Sequence, residues 1–314
     1  MTDTYELAIV GGGPAGAAAA VYAARKRIKT IFITAEWGGQ SITSLEIQNW
    51  IGTPQISGAE LAENLKKHVE AYVGEWLTII APAFAESLAA HDESVEIGLR
   101  DKRVFKAKVA LITTGANRRK LEVPGAAEYD QKGLTYCASC DGPLFADKDV
   151  AVIGGGNAAF ETALQLLAYC KTVTLFNRGE TFRADKISVD AALAHPNMRV
   201  IKNSEILAVE GTQFVTGLKW KDAQSGKEEV LPVEGIFVEI GLIPNTTWIG
   251  NALDMNEVGQ IKVDPRTHRT SHPRIWAAGD CTDGIYHQNN IAAGDAVKAL
   301  EDIYLSLRHQ PQNI

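Results

Sequence analysis

Several features that would assign this chain to other protein classes are missing from it. No apolar run reaches the length that spans a membrane, since glycines and charged residues interrupt every candidate. The apolar stretch at residues 8–24 lacks the basic flank of a secretory signal. Positive charge is not in excess, because the formal net charge is −7. We therefore expect neither nucleic acid nor a membrane as the main partner.

Cysteine is scarce, with four residues in a chain of 314. Cys137 and Cys140 form a C-x-x-C pair, whereas Cys170 and Cys281 stand apart. A zinc site needs four ligands, so the sequence favours a redox pair over half of a zinc site and predicts no metal. The two isolated cysteines are expected to be small apolar core residues. This cysteine usage suits a reducing cytoplasm better than a secreted domain held by disulfides.

The N-terminal segment carries a dinucleotide-binding fingerprint. A G-x-G-x-x-G sequence starts at Gly11, directly after an apolar strand at residues 5–10, and opens an Ala-rich helix to about Arg25. Gly11 permits the tight turn, Gly13 lets the backbone approach a pyrophosphate, and Gly16 allows close packing of helix on strand. The helix dipole then faces the phosphates.

An acidic residue follows the next strand. Glu36 lies just beyond the apolar strand at residues 30–33. An acid there can accept a hydrogen bond from a ribose hydroxyl, although Glu36 could equally be a solvated loop charge. Glu36 is therefore a candidate ribose ligand.

A second fingerprint starts at Gly154, after the strand at residues 149–153. Its third glycine is replaced by Ala159, which is an allowed variant. A helix to about Tyr169 and a strand at residues 172–176 are expected to follow. Two fingerprints, each opening its own βαβ unit, predict two nucleotides bound by one chain. The economical pair is a flavin dinucleotide and a nicotinamide dinucleotide.

The chain is long enough for two domains, and two short linkers divide it. The linkers lie at residues 117–120 and 242–246 and form a natural hinge. We predict an α/β fold class with two Rossmann-like (three-layer ββα) dinucleotide-binding domains, in which the nicotinamide domain is inserted in the FAD domain. The FAD domain comprises residues 1–116 and 246–314. The NAD(P)H domain comprises residues 119–243 and carries the redox pair.

The motifs also follow one another in a family-specific order. They are the first fingerprint, Gly38-Gly39-Gln40, Thr114-Gly115-Ala116, the C-x-x-C pair with Asp141-Gly142, the second fingerprint, and Ala278-Gly279-Asp280. This order resembles the low-molecular-weight thioredoxin reductase family over nearly the whole chain. The stretches at residues 140–145, 241–246 and 277–282 most closely resemble the reductase portion of the alkyl hydroperoxide reductase flavoprotein subunit. That flavoprotein carries an additional N-terminal thioredoxin-like module, whereas only residues 1–4 precede the first strand here, so we expect a separate disulfide carrier.

The resemblance implies an FAD site in the discontinuous domain. Asp280 would hydrogen-bond the ribityl chain, and Asn49 and Gln288 would approach the flavin, although Asn and Gln also commonly serve in caps and turns. The implied FAD residues are Gly11, Gly13, Pro14, Ala15, Gly16, Glu36, Gly39, Gln40, Asn49, Thr114, Gly115, Gly279, Asp280 and Gln288.

The resemblance also implies roles for the redox residues. Cys140 would exchange electrons with the flavin, and Cys137 would attack the external disulfide. Asp141 would be the acid/base that manages the thiol proton, because only a thiolate attacks a disulfide. Asp141 could instead be a turn or cap residue. The implied partner is a thioredoxin-like or glutaredoxin-like protein disulfide, and the implied assembly is a homodimer.

The choice of nicotinamide cofactor depends on the segment after the second strand of the inserted domain. In the thioredoxin reductase family a basic H-R-R-x-x-x-R element binds the 2′-phosphate of NADPH. Here Asn177 replaces the His and a glycine replaces one Arg, which leaves Arg178 and Arg183. The alkyl hydroperoxide reductase relatives prefer NADH and place an acid where Asn177 stands, and that acid is missing here as well. Two arginines can still form a charge-assisted phosphate site, so we expect NADPH rather than NADH, unless they pair with Glu180 or Asp185. The expected dinucleotide-binding residues are Gly154, Gly156, Asn157, Ala158, Arg178 and Arg183.

Together these features predict an FAD-dependent disulfide reductase of the thioredoxin reductase type. It would pass electrons from NAD(P)H through FAD and Cys137–Cys140 to a thioredoxin-like protein. One alternative is a reductase that uses a donor other than a nicotinamide. Others are a flavin ferredoxin–NADP reductase-like enzyme, whose relatives lack the cysteine pair, and a flavin-bearing redox sensor without turnover.

Overall fold

The structure is a computed structural model that describes residues 5–44 and 46–308. The chain divides into two compact units. The discontinuous unit combines Met1–Asn117 with Ile243–Ile314, and the inserted unit is Arg118–Leu242. Within the described residues, no helix is both long enough and apolar enough to cross a bilayer.

Strands and helices alternate in some parts of the chain, and several strands follow one another directly in others. The first stretch forms β1 (Tyr5–Val10), α1 (Pro14–Arg25), β2 (Thr30–Ile33), α2 (Gly58–Glu70), β3 (Leu77–Ile80), β4 (Ala85–Ala90), β5 (Val95–Leu99), β6 (Val104–Ile112) and β7 (Ala116–Arg118). The inserted unit continues with β8 (Leu134–Thr135), α3 (Ala138–Asp141), β9 (Asp149–Ile153), α4 (Asn157–Leu167), β10 (Thr172–Phe176), α5 (Lys186–Leu193), β11 (Met198–Ile201), β12 (Ser204–Gly211), β13 (Val215–Asp222), β14 (Glu228–Pro232) and β15 (Gly235–Val238). The chain ends with β16 (Leu242–Pro244), β17 (Ile275–Ala277) and α6 (Asn289–Arg308), and short 3-10 helices lie at Gly39–Thr43, Gly142–Phe145 and Thr247–Ile249.

A seven-stranded sheet forms the centre of the discontinuous unit. Its order is β3-β2-β1-β6-β5-β4, and β17 also pairs with β6. β1 is buried on both faces, as is usual for a central parallel strand. Leu7 and Ile9 pack in one core with residues of α1 and α6, whereas Ala8 and Val10 pack in a second core on the opposite face. The sheet therefore places the carboxyl end of β1, where the first fingerprint begins, in the interior of the unit.

The inserted unit has a parallel sheet of order β11-β10-β9-β15-β8 and a separate antiparallel sheet of order β12-β13-β14. The residues of β9 alternate between the two faces. Val150 and Val152 pack with α4, whereas Ala151 and Ile153 pack in a core with Trp220 of β13. The parallel sheet thus lies between helices and a second sheet, which is the three-layer ββα arrangement.

The strand order of the inserted unit defines a crevice. From β9 the chain continues to β10 and β11 on one side, and β15 later pairs with β9 on the other side. The carboxyl ends of β9 and β15 therefore flank a topological switch point, which is where open α/β sheets bind ligands.

The two predicted linker segments contain paired strands. β7 overlaps the linker at residues 117–120, β16 lies within the linker at residues 242–246, and the two strands pair with each other. Pro244 favours an extended conformation at Ile243, and this restriction suits a strand.

Candidate nucleotide and redox sites

The first fingerprint joins β1 to α1, and its glycines have different tasks. Gly11 has φ of +123°, and a Cβ added there would lie 2.2 Å from the carbonyl oxygen of Thr113. A Cβ at Gly16 would lie 1.8 Å from the carbonyl oxygen of Gly11, so Gly16 allows helix and loop to pack. A Cβ at Gly13 would meet only the Cα of Gly39, at 4.0 Å. Gly13 therefore faces open space that a pyrophosphate can approach.

A cavity of about 370 Å³ lies over this loop. Glu36, which follows β2, and Asp280, which follows β17, both line it. The cavity combines backbone amides at a helix N-terminus with an acidic residue after the second strand, so its residues fit a dinucleotide such as FAD. The predicted FAD residues that line it are Gly11, Gly13, Pro14, Ala15, Glu36, Gly39, Gln40, Thr114, Gly115, Gly279 and Asp280.

Two other predicted FAD residues contact each other instead of lining this cavity. The Asn49 side-chain amide donates to Gln288 Oε1 at 3.1 Å. The Asn290 amide donates to the Asn49 carbonyl at 2.7 Å, and the Ser41 hydroxyl donates to Asn289 Oδ1 at 2.7 Å. These bonds connect residues 41–49 to the start of α6. The contact of Asn49 and Gln288 with a flavin stays a prediction.

Cys137 and Cys140 form a disulfide in the inserted unit, with their Cα atoms 5.3 Å apart. Cys140 lies on the short helix α3, and Cys137 immediately precedes it. The Asp141 N–H donates to the Cys137 carbonyl at 3.0 Å. Both cysteines are partly exposed, so another thiol or disulfide can approach them.

Asp141 lies beside the disulfide in a position held by Thr135. The Thr135 hydroxyl donates to Asp141 Oδ2 and accepts from the Cys137 N–H at 3.3 Å. Burial raises the pKa of Asp141, and Asp130 raises it further, although the bond from Thr135 and the charge of Arg118 oppose this change. A carboxyl group with a raised pKa is better suited to exchange a proton with a thiol. The Thr135 contact is not predicted from the sequence.

The remaining cysteines are buried and free. The Cys170 thiol donates to the Phe145 carbonyl at 3.2 Å, and Cys281 is fully buried beside the carbonyls of Ile112 and Ala278. Burial raises the pKa of each thiol to about 11. Both residues therefore stay protonated at neutral pH and act as core residues.

The second fingerprint joins β9 to α4. Gly154 has φ of +149°, and a Cβ there would lie 2.3 Å from the Glu239 carbonyl oxygen. A Cβ at Gly156 would have no neighbour within 4 Å, so this glycine faces open space. Helix α4 begins at Asn157 and Ala158, and its N-terminal amides suit a phosphate group. These residues fit the pyrophosphate of a second dinucleotide.

The Asn177 side chain is buried within the loop that follows β10. It is 6% exposed, and its amide donates to the carbonyls of Gly179 at 2.6 Å and Thr181 at 3.1 Å. Its Oδ1 occupies the space where a Cβ of residue 155 would be, which the glycine there leaves free. Asn177 therefore shapes the loop that carries the two arginines.

Arg178 and Arg183 are exposed on this loop. The Arg183 N–H donates to the Gly155 carbonyl at 2.8 Å, which fixes the loop against the second fingerprint. Glu180 instead contacts Lys202 at 3.4 Å and Asn203 at 2.6 Å. Across the part of the chain that the structure describes, neither arginine has an acidic partner within 4.0 Å.

Glu239 is a further residue of the second site that the sequence predictions omit. Its side chain is 11% exposed, and Thr162 of α4 donates to its Oε1 at 3.0 Å. Its Oε2 lies 3.7 Å from Nη1 of Arg118. No local sequence pattern marks this residue, because its partners come from distant parts of the inserted unit.

His268 and His272 have H-x3-H spacing, which also occurs in zinc sites. His268 is buried, with Nδ1 3.2 Å from the Ala277 carbonyl and Nε2 3.2 Å from Asp295. Among residues 5–44 and 46–308, no group of three His, Cys, Asp or Glu residues is arranged to hold a metal ion.

The regions that match known proteins cover nearly the whole chain. The family model described as pyridine nucleotide-disulphide oxidoreductase matches residues 5–296. Over 297 residues the chain is 38% identical to "NADH dehydrogenase" of Bacillus subtilis (strain 168), which covers 95% of this chain and 57% of that protein. It is 39% identical to an alkyl hydroperoxide reductase subunit of Staphylococcus aureus (strain NCTC 8325 / PS 47), covering 95% of this chain and 58% of that protein. The chain thus spans somewhat more than half the length of these relatives.

Two solved structures share the fold. Thioredoxin reductase from Streptococcus pyogenes MGAS5005 matches with a TM-score of 0.88 and 31% identity, over 99% of this chain and 100% of that one. Thioredoxin reductase from Giardia duodenalis matches with a TM-score of 0.91 and 30% identity, over 97% of this chain and 100% of that one. These matches confirm the predicted fold class with two Rossmann-like domains. The family implies FAD and a nicotinamide cofactor, and the chain belongs to the pyridine nucleotide-disulphide oxidoreductase family.

Proposed function

We propose that the protein is an FAD-dependent disulfide reductase of the thioredoxin reductase type. It passes electrons from NAD(P)H through FAD and the Cys137–Cys140 disulfide to the disulfide of a thioredoxin-like or glutaredoxin-like protein. The observation that carries this proposal is the accessible disulfide, with Asp141 beside it, in a chain that also has two nucleotide-binding loops. Bound FAD would supply a two-electron carrier between the nicotinamide and the disulfide.

The thiol chemistry follows from the two sulfur atoms. In the reduced protein the Cys137 thiolate attacks one sulfur of the substrate disulfide, which breaks that S–S bond and forms a mixed disulfide. The Cys140 thiolate then attacks the Cys137 sulfur. The substrate leaves as a dithiol with two electrons, and the Cys137–Cys140 bond forms again.

Asp141 manages the proton in this exchange. It accepts the proton that leaves the Cys140 thiol and can pass it to the departing substrate thiolate. The Thr135 hydroxyl holds the Asp141 carboxyl, and it also accepts the Cys137 N–H. Thr135 is therefore a positioning residue for the acid/base group.

We propose NADPH rather than NADH as the electron donor. The support comes from Arg178 and Arg183, which lie exposed beside the second fingerprint, while the nearby Glu180 is engaged by Lys202 and Asn203. Two guanidinium groups suit a 2′-phosphate. The name of the Bacillus relative includes NADH, so both cofactors belong in every assay.

The oligomeric state and the cellular location are also proposals. The resemblance to thioredoxin reductases supports a homodimer, and the low cysteine content supports a cytoplasmic location. Sedimentation velocity of the FAD-loaded protein tests the first statement, and a single monomeric species would contradict it.

Steady-state reduction of a thioredoxin disulfide tests the proposed function. The wild-type protein should reduce thioredoxin with NADPH or NADH, and Cys140→Ser should reduce it only at the background rate. The variant should still reduce a small quinone, because quinones take electrons directly from a flavin. Cys170→Ala, which removes a buried thiol outside the pair, is the matched control and should retain turnover.

Two results would overturn the proposal. Unchanged thioredoxin turnover in Cys140→Ser would exclude the Cys137–Cys140 relay. Failure of both NADPH and NADH to reduce the flavin would instead indicate a donor other than a nicotinamide.

A further inference from the structure

Glu239 borders the crevice of the inserted unit. It directly follows β15, and its N–H donates to the Ile153 carbonyl at the end of β9, at 2.8 Å. Its own carbonyl oxygen packs against Gly154, the first glycine of the second fingerprint. Glu239 therefore lies at the switch point between β9 and β15, where ligands bind in sheets of this type.

The direction of a bound dinucleotide follows from the strand order. The proposed pyrophosphate position is at Gly156 and the start of α4, beyond β9, and the proposed 2′-phosphate position is at Arg178 and Arg183, beyond β10. A dinucleotide that crosses the carboxyl ends of the strands must extend its other half from β9 toward β15. This inference rests on the proposed function, and it places the nicotinamide half beside Glu239.

The surroundings of Glu239 allow it to change charge. Burial raises its pKa to about 7, against the opposing effects of Arg118 and the Thr162 hydroxyl, while Glu161 adds a further increase. The charged groups that face it in the described part of the chain are Arg118 from β7 and Glu161 from α4. Both forms of the carboxyl group are thus populated near neutral pH.

We propose that Glu239 contacts the nicotinamide ring and discriminates between its oxidised and reduced states by charge. The oxidised ring carries a positive charge, and the reduced ring is neutral. An ionised Glu239 attracts the cationic ring more strongly than the neutral ring. A protonated Glu239 carries no charge that distinguishes the two rings. The relative affinity for the two redox states of the cofactor therefore depends on the ionisation of this one side chain.

Calorimetric titration of the FAD-loaded protein tests this role without any turnover. The two probes are NADP⁺ and its tetrahydronicotinamide analogue, whose ring is neutral and cannot donate a hydride. Both probes carry the same phosphates, so phosphate ionisation cancels in the ratio of their dissociation constants. In the wild type, the ratio of Kd for NADP⁺ to Kd for the analogue should fall about ten-fold as pH rises through about 7. A ten-fold fall means that the pKa of Glu239 differs by about one unit between the two complexes. The NAD⁺ pair is titrated in parallel.

Three variants identify the group responsible. Glu239→Gln keeps the size of the side chain and should make the ratio independent of pH. Thr162→Val removes a hydrogen bond that favours the ionised carboxylate, so it should move the change in ratio to higher pH. Glu205→Gln removes an exposed carboxyl group of β12 and should leave the ratio as in the wild type.

The possible failures are distinguishable. A wild-type ratio that does not change with pH would overturn the role of Glu239, and so would a change that persists in Glu239→Gln. If neither the NADP⁺ pair nor the NAD⁺ pair binds to the wild type, the proposed nicotinamide-dependent function fails together with this inference.

Discussion

Replacing Thr135 by Val should raise the pKa of Asp141 and shift the pH profile of disulfide reduction upward. The Thr135 hydroxyl donates to the Asp141 carboxylate, and this bond favours the ionised form. A hydrogen bond to a charged group contributes about 1.5–3 kcal/mol. Its loss should therefore raise the pKa of Asp141, and at about 1.36 kcal/mol per factor of ten the rate at a pH below that pKa should fall about ten-fold or more. Thr135 is only 3% exposed, so water has little access to replace the hydroxyl.

The assay is kcat for thioredoxin reduction between about pH 5 and pH 9. The part of the pH profile that reports ionisation of Asp141 should move to higher pH, because Asp141 keeps its proton to higher pH in Thr135→Val. Asp141→Asn should remove this limb and slow the reaction by about 10²–10⁴-fold, the usual contribution of a positioned acid/base. Thr172→Val is the matched control, because it removes a hydroxyl that donates to another carboxylate, Asp149, at 2.6 Å. Coincident profiles for Thr135→Val and the wild type, or an equal shift in Thr172→Val, would refute the reasoning.

Two further substitutions test the nucleotide sites. Gly13→Leu should fold but lose FAD, since Gly13 has an ordinary φ of −77° and its missing side chain leaves space in the cavity. The absorbance of bound flavin measures this loss. The control is Gly294→Ala on the exposed side of α6, which should retain full FAD content. A normal flavin content in Gly13→Leu would contradict the proposed FAD site. Removal of either Arg178 or Arg183 should raise KM for NADPH about ten-fold or more, given about 1.5–3 kcal/mol per charge-assisted bond, with little change for NADH. Equal effects on both cofactors would assign these arginines a structural role.

The nucleotide-binding loops could be predicted from the sequence because their requirements are local. Gly11 and Gly154 adopt left-handed conformations, and Gly13 and Gly156 face open space, so each position needs glycine within a few residues of a strand and a helix. The strand pattern around them is equally local. It therefore predicts two Rossmann-like units, and the strands β1 and β9 are found where the apolar runs predict them.

The environment of the site residues could not be predicted in the same way. Burial raises the pKa of both Asp141 and Glu239, and the opposing hydrogen bonds come from a hydroxyl of β8 and from a hydroxyl 77 residues earlier in the chain, respectively. Asn177 has the position of a ribose-facing residue in the family motif, yet it turns inward because Gly155 leaves room for its side chain. These outcomes depend on tertiary packing, which residue spacing does not encode.

The most direct test of the central claim is a thiol count on the FAD-loaded protein. The oxidised chain has one disulfide and two free cysteines, so denaturing alkylation should label two residues. After anaerobic reduction with excess NADPH and an acid quench, the label should also appear on Cys137 and Cys140. Bleaching of the flavin with no new labelled cysteine would contradict the account, because it would show that electrons reach FAD and do not pass to the disulfide.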